Sequence, residues 1–260
     1  MDFPSTFSLA AEYQAACEQA TDRSERTRLR VLAVTVAVLD KSTSTHVQPA
    51  DLAREVGISR PLLYHHFGDP DGLLATIARD FEQRNVAFFR TLPAGAQRYT
   101  YPALVGYLAW ILATAVRNRG AMRLMFGLAD RVASVDVVFE RLLHELNQAL
   151  GDQLQPPGHV PISAADRLLL GYMEAGGFNV LLRDLFVYPN VHLPRLDTPQ
   201  ALFSLVQLVA GHRYRLIHGG PAPARDVKAV QQRFDLAFFE PCFEQPSVQT
   251  RLTLRPARSR

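Results

Sequence analysis

Cysteine is nearly absent from this 260-residue chain: Cys17 and Cys242 stand near opposite ends. Such a pair frames neither a disulfide scaffold nor a four-ligand zinc site. No apolar run reaches the roughly 18 residues that span a bilayer; Val31 to Leu39 comes nearest, and Thr35 interrupts it. The opening Met1-Asp2-Phe3-Pro4 has neither the basic start nor the apolar stretch of a secretion signal. The expectation is therefore a cytoplasmic protein with no membrane partner. Fixed-period repeats and low-complexity segments are missing too. So are the common catalytic signatures: no His-Glu-x-x-His zinc pattern, no GxSxG elbow, no phosphate loop and no dinucleotide fingerprint. Glu140 and His144 miss the Glu-x-x-His spacing of di-iron bundles. These absences argue against an enzyme, and no metal or cofactor is expected.

What is present is a globular composition. At 48% hydrophobic and 20% charged, the chain is too apolar for disorder and too evenly mixed for a membrane protein. The formal charge of +3 looks like a nucleic-acid signature, but Arg251, Arg255, Arg258 and Arg260 supply it, and residues 1–250 sum to −1. The local balance is more telling. Residues 23–66 carry seven basic side chains against four acids, with Arg23, Arg26, Arg28 and Arg30 gathered at the start. Such a run is either a solvated helix face or a phosphate-binding one.

Apolar residues recur at three- and four-residue steps almost throughout, and no stretch alternates as a strand would, so the fold is all-α. Residues 1–22 form a short amphipathic helix (Leu9, Tyr13, Ala16, Ala20) or an arm. Ser24 caps a helix reaching Asp40, and Lys41 to Thr45 is a loop. Pro49 opens a short helix that Gly57 ends, Ser59 caps a second running to Phe67, and Asp69 with Pro70 starts a long helix to about Leu92. Further helices are expected near 101–118, 121–131, 134–152, 163–187, 199–218 and 224–240. Loops are expected at Pro156-Pro157-Gly158, Tyr188-Pro189-Asn190 and Gly219-Gly220-Pro221. Pro93-Ala94-Gly95 marks a boundary. The resulting division is an N-terminal extension (1–22), a helix-turn-helix domain with its connecting helix (23–92), a larger helical domain (93–240) and a tail (241–260).

The stretch from Pro49 to Phe67 carries the chemistry. Two helices of about two turns are joined by Gly57-Ile58-Ser59, the layout of a helix-turn-helix. Glycine allows the left-handed turn, and Ile58 plugs the core between the helices. Leu52, Ala53 and Val56 face Leu63 and Phe67, which leaves the start of the second helix free to enter a DNA major groove.

Here the residues resemble a known family. Asp51-Leu52-Ala53-Arg54-Glu55-Val56-Gly57-Ile58-Ser59, then Leu63-Tyr64-His65-His66-Phe67, then Leu73-Leu74 are similar to the DNA-binding domain of tetracycline-repressor (TetR) transcriptional regulators. The likeness covers residues 24–90. It implies that Arg60 reads bases, since a guanidinium grips guanine O6 and N7 together. It further implies apolar contact from Pro61 and Leu62, phosphate contacts from Tyr64 and His65, and a turn-holding or backbone role for His66. His66 and Phe67 also fit plain core packing. Ser59 and Gln48 stand at the helix starts that face DNA. Two positions depart from the family pattern. Gln48 replaces the usual Thr or Ser cap, and Pro70 replaces a lysine, so one phosphate contact is lost unless Arg23, Arg26, Arg28 or the N-terminal arm supplies it.

Beyond residue 93 the resemblance implies a ligand-binding and dimerising domain. On the helix near 199–218, Leu202, Leu205, Val206, Val209 and Leu216 make one apolar stripe, and Phe203, Ala210, Tyr214 and Ile217 make another. Two stripes suit either the centre of a large bundle or a helix shared with a second copy of the chain; the resemblance favours the homodimer. Candidate ligand-lining residues are Tyr107, Trp110, Met122, Phe126, Phe139, Met173 and Phe178, with Glu174 as a polar anchor; plain core packing fits them as well. The leading expectation is a homodimeric repressor on a palindrome-like double-stranded DNA operator, released by a small, largely apolar effector. A DNA-binding dimer without an effector is the second reading, and an α-helical enzyme the third.

Overall fold

Short polar side chains set where most of the helices begin, each accepting a backbone N–H that the first turn leaves unpaired. Ser8 caps α1 (Leu9–Gln19), Asp22 caps α2 (Arg23–Lys41), Ser59 caps α4 (Arg60–Phe67) and Asp69 caps α5 (Pro70–Arg90). Thr100, Ser163 and Thr198 do the same for α6 (Tyr101–Arg117), α9 (Ala164–Leu182) and α10 (Pro199–His218). Gln48 precedes α3 (Pro49–Val56) without a side-chain cap. The remaining helices are α7 (Arg119–Leu128), α8 (Ala133–Gln153) and α11 (Ala224–Arg233).

The computed structural model describes residues 5–42, 46–92, 97, 99–128, 132–153, 163–187, 193, 196–244, 248 and 250–252, with backbone alone at 128, 134, 146–147, 149–153, 167–168, 170, 174–175 and 186–187. Among these residues there is no strand, and no helix is long and apolar enough to cross a membrane. The boundary at 93–95, the loops at 156–158 and 188–190 and part of the 41–45 loop lie outside the described residues. So do the end of the helix near 121–131, the side chain of Glu174, and Arg255, Arg258 and Arg260 of the tail.

The run Val31 to Leu39 is buried at every position because α2 is central, packed by α1, α3, α5 and α7. Thr35 keeps its place there by donating its hydroxyl to the Val31 carbonyl at 2.7 Å. From α2 a continuous apolar core passes through α5 into α6, α7 and α8, and α10 closes it against α6. The aromatic centre of that core is Trp110 stacked on Phe88, with ring centroids 3.6 Å apart.

The N-terminal extension is a helix rather than a loose arm. Leu9, Ala10, Tyr13 and Cys17 are buried on it, against α2. It also clasps the elements that follow: the Leu9 N–H donates to Asn118 at 2.8 Å, and the Tyr13 hydroxyl donates to Asp80 at 2.6 Å.

Four expectations from sequence need correction. Helix α2 is capped by Asp22, whose carboxylate accepts the Glu25 N–H at 2.7 Å, rather than by Ser24. The helix expected near 224–240 stops at Arg233. Phe234 turns back to stack on Phe203 at 4.5 Å, and Asp235 caps a separate 3-10 segment, Leu236–Cys242. The helix expected to reach 187 gives way to a π-helical turn over Arg183–Val187. The two stripes of α10 are also divided differently. Leu202, Phe203, Val206, Ala210, Arg213 and Ile217 form the buried face, whereas Leu208 and Leu216 point outward. The 3.6-residue turn draws the buried set from both stripes.

Candidate nucleic-acid interface

The turn between α3 and α4 follows from three residues. Gly57 sits at φ +78°, where a side chain would be strained, and its N–H bonds back to Ala53 at 2.9 Å. Ile58 follows, its N–H on the same carbonyl at 2.9 Å. Ser59 then accepts the Leu62 N–H and starts α4. Leu52, Ala53, Val56 and Leu63 bury the inner faces of both helices.

With Leu63 as the single buried residue of α4, the rest of its first turn projects. Ser59, Arg60, Pro61, Leu62, Tyr64 and His65 are all exposed. Six candidates thus lie together on one free surface at a helix N-terminus, where backbone N–H groups and the helix dipole favour anions. His66 turns the other way. Its ring is partly enclosed and meets His65 edge-on at 5.7 Å, while burial first, then the charges of His65 and Arg28, hold its pKa below the usual histidine value. It is an inward-leaning ring whose surroundings disfavour its charged form. Gln48 is exposed at the start of α3, its amide against His46.

The arginines at the start of α2 divide their roles. Arg26 donates to the Ala20 carbonyl and fastens the α1–α2 corner, and Arg28 lies 5.8 Å over the Phe67 ring. Arg23 and Arg30 are exposed beside the α3–α4 turn, on a groove of ≈ 1020 Å³ that Ser59 and Leu62 also line.

Two connections to this face were not foreseen. At the end of α2, Asp40 accepts the Gly120 N–H at 2.6 Å and so caps the first turn of α7 from another element. Burial pushes its carboxyl up to about 7, against the downward pull of that N–H and of Arg123 and Arg119. At the end of α3, Glu55 accepts the Thr250 hydroxyl at 2.8 Å and the Arg251 N–H at 2.7 Å. Both partners come from distant parts of the chain, so no local pattern announces them.

The ligand candidates scatter. Tyr107, Trp110 and Met122 are packed into the core, Phe126 and Phe139 meet edge-on at 5.6 Å, and Met173 is 67% exposed on the outside of α9. Phe178 and Tyr107 are brought together by a residue the sequence did not single out. The Arg213 guanidinium is buried on α10 and lies 5.9 Å from each ring. A charge on the apolar side of the helix was the available signal. A cleft of ≈ 220 Å³ between α9 and α10 is lined by Met173, Phe178, Val209, His212 and Arg213.

No protein-family model matches the chain. A curated relative, the nucleoid occlusion factor SlmA of Photobacterium profundum, is 30% identical over 154 residues, covering 56% of this chain and 78% of that protein. Among solved structures, a transcriptional regulator from Rhodococcus sp. aligns with a TM-score of 0.56 at 17% identity, covering 76% of this chain and 98% of that one. A regulator from Mesorhizobium loti assigned to the TetR family aligns with a TM-score of 0.52 at 14% identity, with the same coverage. At such identities the solved structures speak to the fold, and they share its all-helical plan.

Proposed function

Because this chain belongs to the tetracycline-repressor family of DNA-binding transcriptional regulators, we propose that it acts as a homodimer that reads a palindrome-like operator and represses from it until a small, largely apolar ligand releases it. The observation that carries the reading is the exposed first turn of α4: Arg60, Pro61, Leu62, Tyr64 and His65 stand free while Leu63 alone is buried. In this reading Arg60 grips a guanine edge, Pro61 and Leu62 touch apolar base surface, and Tyr64 and His65 hold phosphates with Ser59 and Gln48 at the helix starts. His66 supports the turn from inside.

The dimer reading is supported by an apolar outer face on the last two long helices. Leu169, Tyr172, Met173 and Val180 of α9 and Leu208 and Leu216 of α10 are all exposed in the single chain. Pairing these faces across a two-fold axis sets two α4 helices one DNA turn apart, roughly 34 Å. Ligand control then works by population. A ligand that prefers a head spacing other than the one the operator needs weakens DNA binding by its differential affinity, typically about 1–3 kcal/mol. Helix α5 joins the head (23–92) to the remainder and is the lever.

Close packing at Trp110 and Phe88 favours a second reading, a DNA-binding dimer with no small-molecule effector. A thermal-shift screen with apolar compounds separates the two, since a ligand of the folded state raises the melting temperature. The function itself is tested by selecting bound duplexes from a random pool. A two-fold site with half-sites about one helical turn apart is expected; recovery of unrelated sequences would overturn the reading.

A further inference from the structure

Where α2 ends against the start of α7, a cavity of ≈ 280 Å³ opens between those two helices, α1, the end of α6 and the 3-10 segment. None of the described ligand candidates read from sequence lines it. Its walls are mixed. Ala11, Val116 and Pro241 supply apolar surface, while Lys41, Arg117 and Arg119 stand against the carboxyls of Asp40 and Glu244.

Hydrogen bonds already made commit most of these groups. The Arg117 Nη1 donates to the Thr6 carbonyl at 2.8 Å and to the Thr6 hydroxyl at 2.7 Å, and Asp40 is occupied by the Gly120 N–H. Lys41 and Glu244 are exposed at the rim. Arg119 differs. Its Nε is shut off from solvent and has no hydrogen-bond partner among the described residues. A buried donor left unpaired costs stability, and folded chains keep few of them. Burial raises both the Asp40 carboxyl and the Cys242 thiol, and at both the Arg119 charge pulls the other way. The guanidinium therefore lies within reach of two walls of the cavity, one on α2 and one on the 3-10 segment.

We propose that this cavity is a binding site for a small organic monocarboxylate, with Arg119 gripping the carboxylate and the apolar wall of Ala11, Val116 and Pro241 receiving its body. Site and ligand are separate from the apolar effector above, and binding here requires no DNA. A carboxylate matches the planar fork of a guanidinium and satisfies the donor that the chain leaves unpaired. Two acids lining the same space count against a doubly charged anion such as phosphate. A single water takes about 30 Å³, so it underfills the cavity. The volume falls at the small end of ligand pockets, which span about 300–1,000 Å³, and suits a small metabolite. Its occupant lies across the joint where Lys41 of the head meets Arg119 of α7.

The test uses the full-length protein in thermal melts and titration calorimetry, with acetate, butyrate and benzoate as probes and their neutral amides as controls. At about 10 mM, ten times a millimolar Kd, at least one carboxylate should raise the melting temperature by roughly 2–4 °C. The amides and inorganic phosphate should not. Arg119→Gln should weaken the bound carboxylate about tenfold or more, and Arg119→Lys, which keeps the charge but loses the fork, by less. Ala11→Phe fills the space with the guanidinium left in place, and it should abolish binding. The two sites of substitution act separately, so either variant decides the matter if the other does not fold. Silence from all three carboxylates, an equal shift with phosphate or the amides, or binding unweakened in either variant would overturn the inference. A two-fold operator recovered alongside silent melts would leave the DNA-binding reading standing.

Discussion

Arg60 opens α4 and is exposed, so its loss should leave folding alone. Arg60→Ala should weaken operator binding by about 1–3 kcal/mol per half-site, enough to abolish the shift of an operator fragment in a gel at moderate salt. Dimer size on a sizing column should not change. Asp40, turned inward, calls for a pH measurement instead. Its folded carboxyl is raised to about 7 from 3.8, so its contribution to stability is fully present below the lower value and is lost as pH rises through 7. Asp40→Asn can still accept the Gly120 N–H but does not titrate. Thermal melts from about pH 4 to 8 should show the wild type losing stability relative to the variant toward the alkaline end; parallel curves would refute the assignment. The exposure of Arg60 and Tyr64 was legible in the sequence because a buried Leu63 and a 3.6-residue turn dictate it. The environment of Asp40 was not, since the helix it caps lies 80 residues away. Arg213 was missed because three-residue spacing marks a face as apolar without saying which charges it carries inward.

Among the elements, the approach of α2 to α7 is especially tight. A methyl group added at Gly120 would meet the Leu39 Cβ at 2.6 Å and the Asp40 backbone nitrogen at 2.8 Å, where backbone leaves no room to yield. Gly120→Ala should therefore cost about 1–3 kcal/mol by urea unfolding, and it should disturb the seating of the head more than α7 itself. A second joint ties α5 to α8. Glu82 is buried and accepts both Nε and Nη2 of Arg141, at 2.6 and 2.8 Å. Arg141→Ala leaves that carboxylate without its partner, and a loss of about 2 kcal/mol is expected in the same measurement. Helix starts were largely legible, because Ser59, Asp69 and Pro70 are local signals with a local mechanism. Helix ends late in the chain were less so. The stop at Arg233 depends on Phe234 finding Phe203, far back along the chain, and the π-helical turn after Leu182 has no marker in its composition.

At the scale of the whole molecule, the apolar outer face of α9 and α10 is the contact of the proposed dimer. Leu208 is 71% exposed in the single chain, and Met173 nearly as much. Leu208→Glu with Met173→Glu should convert the dimer to a monomer in analytical ultracentrifugation, with helix content by circular dichroism retained. A double variant that still sediments as a dimer would place the contact elsewhere. The all-helical plan and the position of α4 were legible from periodicity and turn residues. The placement of Leu9–Gln19 and of Thr250 was not: nothing near Thr250 in sequence points to Glu55, 195 residues earlier. Helix α1 has the same character. Leu9 is held by Asn118, Tyr13 by Asp80, and the Ser5 and Thr6 carbonyls by Trp110 and Arg117, so one short piece of chain is stitched to both halves. Cutting the backbone once between α5 and α6 would therefore leave two fragments that still co-elute, held by that clasp together with the Asp40–Gly120 and Glu82–Arg141 joints rather than left on a free swivel.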